Sequence, residues 1–286
     1  MTTLLDTSPS AAPAPTSTSQ RRVTLAGTMV AEWIKFRSVR STVWTLVAAI
    51  GSLVAISAVV AWGTTQGYDA STSSGGLNIA QLLSAGYQLA QLAVAVLGVL
   101  IITGEYSTGM IRSTFTAVPR RLPVLWAKAG VLTAAVLAVT LVAMAISYVA
   151  TTPFHHELRA TFDLSDAETL RMTIGLPLYL AAIGLLSFAV GALLRHGAAS
   201  LTAVIAVLLV VENVLIMVPM RAIEVVSPFL PSTAGRRVLF DEEMIETLDA
   251  SATGATLTPW QGYGVLVAWA LVLLALAGVL VRRRDA

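Results

Sequence analysis

The 286-residue chain has no cysteine, only three histidines, and charged residues at only 12% of its positions. The lack of cysteine excludes a disulfide-stabilised secreted fold and, with so few histidines, argues against zinc, iron–sulfur or haem sites. The charge content is about half that of ordinary soluble domains. Because 56% of the chain is hydrophobic, a soluble globule of this size would lack a wettable surface. Soluble enzymes are therefore largely excluded, and the net charge of +2 gives no indication of nucleic-acid binding.

Six apolar segments are each long enough to cross the hydrocarbon core of a bilayer as a helix, which takes about 20 residues. They cover about residues 43–62, 79–102, 128–150, 173–194, 198–218 and 260–281. So many long apolar runs argue against a large soluble protein with buried helices. The pattern predicts an all-α integral membrane protein over residues 29–286. Residues 1–28, rich in Ser, Thr, Pro and Ala, are predicted to be a disordered tail.

The basic residues indicate the orientation of these spans. Thirteen of the 18 Lys and Arg residues fall on the side that holds both termini, the 103–128 loop and the 195–197 turn. By the positive-inside rule this side is cytoplasmic, so both termini are predicted inside. Three outer segments follow, at 63–78, 151–172 and 219–259. Asp166 is predicted to cap a short helix in the second, and residues 241–248 to form a surface helix in the third.

The segment 31–42 interleaves aromatic and basic residues just before the first span. Such a segment can lie along the inner leaflet, with aromatic rings at the acyl boundary and cations at the headgroups. Ordinary basic flanking of a span is the alternative interpretation. The candidate residues of this interfacial helix are Glu32, Trp33, Lys35, Arg37 and Arg40.

The inner loop 104–121 is the second candidate. Ile111, Phe115 and Val118 recur at helical spacing, and Pro119 then ends the stretch. The pattern predicts a short amphipathic helix that could bind a soluble partner. A surface loop resting its apolar face on lipid is equally compatible with the residues.

Glu212 and Asn213 are the third candidate, because they lie inside the fifth predicted span. A carboxylate facing lipid costs several kcal/mol, so an intramembrane ionisable residue is a candidate for the translocation path. The structural alternative is a hydrogen-bonding or ion-pairing role, with Arg221 as one partner. The cluster His155, His156 and Glu157 has no matching ligands elsewhere, so no metal site is expected.

Three segments, taken together, resemble the ABC-2 type transporter permeases of actinobacteria. They are residues 32–42, residues 104–114 followed by 119–121 and Lys128, and residues 229–235; with the six spans, the resemblance covers about residues 30–284. It implies a permease that pairs with a second copy or a paralogue and binds two copies of a separate ABC ATPase. It also implies a coupling helix in 105–121, an outer segment 219–259 that folds partly back into the outer leaflet, and a bacterial cytoplasmic membrane location.

The expected function is therefore the transmembrane subunit of an ATP-driven exporter of an amphiphilic substrate, and not an enzyme. The chain has no phosphate-binding loop, because neither of its lysines follows a glycine, so ATP and magnesium are expected in the partner chain. Membrane lipids are further expected partners. The alternatives are a membrane anchor or sensor that recruits an ATPase, and an intramembrane enzyme with its site near Glu212. The candidate ATPase-coupling residues are Glu105, Tyr106, Gly109, Arg112 and Phe115.

Overall fold

The structure is a computed structural model that describes residues 24–67, 77–110, 121–217, 221–250, 252 and 254–284. Within these ranges the chain is helical and has no β-strand; a single isolated bridge pairs Asn78 with Thr161. The helices are α1 (Leu25–Ser38), α2 (Arg40–Gly67), α3 (Ile79–Ser84), α4 (Tyr87–Ser107), α5 (Arg121–His155), α6 (Ala167–Leu194), α7 (Gly197–Ile205), α8 (Glu212–Met217), α9 (Arg221–Val226), α10 (Pro231–Gly235), α11 (Glu242–Ala250) and α12 (Pro259–Arg284).

Five helices, α2, α4, α5, α6 and α12, are long and apolar enough to cross a membrane. The predicted all-helical, multi-pass membrane character is confirmed at this level. The fifth predicted span, residues 198–218, consists instead of three consecutive helical pieces: α7, a π-helical turn at Ala206–Val211, and α8. Its apolar helical stretch, Gly197–Val211, is shorter than a span. The sequence pattern missed this turn because a π turn keeps the apolar character of the helix while changing its register.

The second predicted span, 79–102, is also divided, into α3 and α4 with a break at Ala85 and Gly86. Asn78 caps α3 through its Oδ1, which accepts from the backbone N–H of Ala80 at 2.9 Å. At the break, a Cβ on Gly86 would lie 2.7 Å from the Cα of Leu53 in α2. Because Gly86 has no Cβ, the backbone at this break packs directly against the backbone of α2.

Helix α6 is the centre of the bundle, and it packs against α4, α5 and α12. Its closest approach to α4 pairs Gly98 with Gly184, where a Cβ on Gly98 would overlap the Gly184 carbonyl oxygen. Small residues at such a crossing allow the extensive van der Waals contact that holds helices together in a bilayer. Helix α2 lies at the periphery and leaves Val43, Trp44 and Trp62 exposed.

Several predicted boundaries differ from the observed ones. Helix α1 begins at Leu25, inside the predicted tail 1–28, because Thr24 accepts the N–H of Gly27 as an N-cap. It ends at Ser38, so Arg40, predicted in the interfacial helix, begins α2 instead. Helix α5 begins at Arg121, two turns before the predicted start of that span at Lys128.

The outer segments contain both features predicted for them, a helix cap at Asp166 and a helix at residues 241–248. Asp166 is the N-cap of a helix, but that helix is the full-length α6 and not a short one. Hydrogen bonds from the backbone N–H and hydroxyl of Thr169 hold the pKa of Asp166 below its usual value. The predicted surface helix at 241–248 corresponds to α11, Glu242–Ala250, on which Met244 is exposed.

Candidate functional site

Four charged side chains meet at the end of the bundle that carries α1. Glu32 and Lys35 come from α1, Glu105 from the last turn of α4, and Lys128 from the third turn of α5. The Lys128 Nζ lies 2.5 Å from Glu32 Oε2 and 2.7 Å from Glu105 Oε1. The Lys35 Nζ lies 2.9 Å from Glu105 Oε1 and 3.6 Å from Glu32 Oε1. These four residues form what we call the charge cluster.

The charge cluster is internally neutral and largely buried. It contains both lysines of the chain, with two glutamates as their partners. The Lys128 side chain is only 3% exposed, whereas that of Lys35 is 35% exposed. Burying charges is costly unless each is paired and hydrogen-bonded, and here every charge has an opposite partner within 4 Å. Lysine suits this position because one ammonium can donate to two carboxylates.

The charge of Lys35 is stabilised by the same contacts. Burial by itself lowers the pKa of the Lys35 ammonium, but the hydrogen bond and charge of Glu105, with those of Glu32, outweigh burial. The net result is a pKa above the usual lysine value. The ammonium of Lys35 therefore remains charged at neutral pH, and the cluster links three helices by ionic contacts.

Helix α1 turns charged side chains toward the bundle and apolar side chains outward, whereas a helix on the surface of a soluble protein does the reverse. Glu32 is buried and Lys35 half-buried against the bundle, whereas Trp33 and Ile34 are 42% and 62% exposed. Trp33 also stacks on the buried Phe36, with ring centroids 5.9 Å apart. An exposed apolar face fits a helix lying against lipid. The sequence had suggested that Lys35 faces headgroups, but it is turned inward.

The predicted coupling residues fall into two groups. Glu105 and Tyr106 belong to the last turn of α4, not to a separate loop, and the Arg195 guanidinium stacks over the Tyr106 ring at 5.2 Å. Gly109 follows with a φ of +72°, a left-handed conformation that glycine adopts without strain. Arg112 and Phe115, with the rest of the predicted coupling helix at 111–120, lie outside the described residues.

Glu212 is buried at the junction between the π turn and α8. Its Oε1 accepts the N–H of Ser232 at 2.9 Å, and its Oε2 accepts the N–H and hydroxyl of Thr233 at 2.6 and 2.8 Å. The carboxylate thus caps the start of α10, whose N–H groups would otherwise lack acceptors. These contacts assign Glu212 a structural hydrogen-bonding role. The side chain of the neighbouring Asn213 lies outside the described part of the chain.

A chain of polar side chains continues from α10 into the centre of the bundle. The Tyr179 hydroxyl donates to Gln91 Oε1 at 2.5 Å and lies 3.1 Å from the Ser232 hydroxyl. Tyr179 and Gln91 are both buried. The motif 229–235 therefore packs against α6 and α12, where Trp269 also donates to the Phe229 carbonyl at 3.0 Å.

Sequence reasoning missed Gln91 and Tyr179, although both are polar residues inside predicted spans, which is the signal that could have identified them. It also gave Lys128 no role of its own, although Lys128 stood at a span boundary and in one of the motifs of the family resemblance. Among the described residues, no group of three His, Cys, Asp or Glu side chains could hold a metal ion. His155 instead contacts Thr151 of its own helix, with 2.9 Å between Nε2 and Oγ1.

No protein-family model matches the chain, and no curated protein matches it. The functional interpretation therefore depends on the sequence motifs and on the two buried carboxylate sites.

Proposed function

We propose that this chain is the transmembrane permease subunit of an ATP-driven exporter whose ATPase is a separate chain. Both termini and the 103–128 loop face the cytoplasm, as the distribution of basic residues favours. The observation that carries the proposal is the charge cluster, because it ties α1 to the two helix ends that flank the predicted coupling loop.

The geometry suggests how motion would pass from an ATPase to the spans. The loop 111–120 leaves α4 at Gly109 and Met110 and returns at the start of α5. When the ATPase moves this loop, the ends of α4 and α5 move with it, and these ends carry Glu105 and Lys128. Because these two residues are ion-paired to each other and to α1, the three helices respond together. Arg112 and Phe115 are the residues through which we expect the ATPase to act.

The arrangement at Glu212 supports a structural role there, not an enzymatic one. Its two carboxylate oxygens already accept three hydrogen bonds from Ser232 and Thr233. A carboxylate has about four lone-pair sites, and here three of them are occupied in a residue that is only 3% exposed, which leaves little access for the proton of a substrate. We therefore place Glu212 in the scaffold that holds α10 against the spans.

The first experiment is purification of the tagged full-length chain from its native membrane, followed by mass spectrometry. We expect a stoichiometric partner with a phosphate-binding loop, and ATP hydrolysis by the complex that responds to an amphiphilic substrate. ATP hydrolysis that no candidate substrate alters would favour the anchor or sensor alternative. A chain that purifies alone in several detergents, with nucleotide present, would contradict the proposal.

The variant Phe115→Asp tests the coupling loop. A charge at the apolar face of the predicted amphipathic helix is expected to reduce ATPase binding by at least about tenfold, while membrane insertion is unchanged. Leu164→Asp, at an exposed position on the predicted outer side, is the matched control and should leave ATPase binding unchanged. An intact complex in Phe115→Asp would remove Phe115 from the coupling surface.

A further inference from the structure

A cavity of about 310 Å³ lies at the start of α4, whereas the charge cluster lies at the end of that helix. Its wall comes from the last turns of α2, from α3, from Tyr87 of α4 and from residues 239–244, which lead into α11. Most of the wall is apolar and includes Val60, Leu77 and Met244. The volume lies in the range of small-molecule sites, which starts at about 300 Å³. The cavity is therefore suited to a ligand with an apolar body.

Asp241 is the only charged side chain among the described residues that line this cavity. Its Oδ2 accepts from Gln81 Nε2 at 2.9 Å, and its Oδ1 accepts the backbone N–H of Met244 at 2.9 Å. A carboxylate has about four lone-pair sites, so these two bonds leave it able to accept further donors. Both donors are neutral, so they do not compensate the negative charge of Asp241.

The basic residues near Asp241 have other partners. The charge of Asp241 acts on Arg171, but three further acids act on the same guanidinium, which also donates to the Arg237 carbonyl at 3.3 Å. The Arg237 side chain is in turn paired with Asp249 at 2.6 Å. Acids therefore outnumber bases around Arg171, and this end of the bundle attracts cations and repels anions.

Two aromatic rings lie on the same part of the wall. Tyr87 and Phe240 both line the cavity, and their ring centroids are 6.5 Å apart in an edge-to-face arrangement. Phe240 immediately precedes Asp241 in the chain. Aromatic rings attract organic cations, and more strongly where water is excluded. A carboxylate beside aromatic rings thus favours an ammonium ion whose alkyl groups limit its hydration.

We propose that this cavity binds an organic ammonium ion that carries an apolar group, such as an amphiphilic quaternary amine. The ammonium lies between the Asp241 carboxylate and the rings of Tyr87 and Phe240, and the apolar group contacts Val60 and Met244. A choline phospholipid shares this ammonium, but the surrounding acids repel its phosphate, so we assign the site to a free cation. The inference concerns binding alone and does not depend on the proposed transport function.

Equilibrium dialysis of the full-length protein in an uncharged detergent tests this proposal, with protein-free micelles as the blank. The probes are benzyltrimethylammonium and phenylmethanesulfonate, which have the same aromatic group and opposite charges. We expect the cation to bind at least about tenfold more tightly than the anion, as a cation between a carboxylate and aromatic rings allows. Absence of cation binding, equal binding of the two probes, or tighter binding of the anion would overturn the proposal.

Two variants at neighbouring positions of α2 locate the binding. Val60→Trp fills the cavity and should abolish cation binding, whereas Val59→Trp makes the same change at an exposed position outside the cavity and should leave it unchanged. Full binding in Val60→Trp, or equal loss in both variants, would contradict the assigned site. An equimolar amount of phosphatidylcholine should leave most of the cation bound; complete displacement would assign the site to the lipid headgroup instead.

The variant Asp241→Asn tests the charge itself. Asparagine keeps an oxygen for the N–H of Met244 and is a favoured N-cap residue, so α11 is expected to remain folded. We expect this variant to bind the two probes about equally. Glu246→Gln, which removes a charge from the exposed surface of the same helix outside the cavity, is the matched control and should keep the preference for the cation. A retained preference in Asp241→Asn, or an equal loss in both variants, would exclude Asp241 as the partner of the ammonium.

Discussion

The two buried carboxylate sites of this molecule are stabilised in different ways. Glu32 and Glu105 are neutralised by lysine side chains from separate helices, whereas Glu212 is held by backbone N–H groups and one hydroxyl. The first arrangement joins α1, α4 and α5 and depends on balanced charges. The second fixes the start of one short helix and needs no cation. The first is therefore suited to transmitting a displacement, and the second to holding a fixed shape.

The largest expected effect is that of removing Lys128 from the charge cluster. Lys128→Met leaves two buried carboxylates with only the half-buried Lys35 as partner, so we expect a loss of about 3–5 kcal/mol in the free energy of unfolding. The measurement is unfolding by sodium dodecyl sulfate in mixed micelles, monitored by circular dichroism. The double variant Lys128→Met with Glu32→Gln should recover part of the loss. A loss below about 1 kcal/mol would show that the charges are solvated, contrary to the burial described above.

An intermediate effect is expected at Glu212, where the partners are backbone groups. Glu212→Gln keeps one acceptor but turns an N–H₂ group toward the donors of Ser232 or Thr233, which should cost about 1–3 kcal/mol in the same assay. Glu246→Gln, on the exposed surface of α11, is the matched control and should change stability little. If both variants behave alike, the cap on α10 does not contribute to stability, and the contrast between the two sites is lost.

The smallest effect is expected for Lys35, the exposed member of the charge cluster. Lys35→Met should cost at most about 1 kcal/mol, since solvent screens a side chain that is 35% exposed. The raised pKa determines its pH dependence: the contribution of Lys35 is complete below its ordinary pKa of 10.5 and is lost as pH rises through the higher folded-state value.

The difference in unfolding free energy between wild type and Lys35→Met should therefore stay constant from neutral pH to about pH 10 and shrink above it. A Lys35 contribution that is lost well below pH 10 would contradict the ionic contacts described for this residue.

Prediction from sequence succeeded where a long local pattern decides the structure. Four of the predicted spans correspond to single long helices, α2, α5, α6 and α12, because each contains about 20 consecutive apolar residues. It did not predict the break at Gly86 in the second span or the π turn in the fifth. The break at Gly86 allows close packing against α2, which a window of local hydropathy does not contain. The predicted Asp166 cap was confirmed because capping depends on near neighbours in the chain.

The candidate site was predicted residue by residue but not as an arrangement. Glu32, Lys35 and Glu105 were selected from two separate motifs with separate expected roles, and Lys128, although part of the second motif, was given no role. The structure brings them within 4 Å although Glu32 and Lys128 are 96 positions apart in the chain. For Glu212 the acceptor was recognised, but its partners, the backbone N–H groups of residues 232 and 233, leave no trace in side-chain chemistry.

The amino-acid sequence by itself determined that this is an all-helical protein suited to a membrane and that it has few charges to bury. These properties follow from hydrophobicity and from the length of apolar segments, which are local quantities. Only the tertiary structure decided which of the few charges meet and which helices break. The physical reason is that a buried ion pair or a backbone cap forms only when distant segments pack together. Each lysine of this chain could have faced water, and the packing of α1 against α4 and α5 turned both toward glutamates.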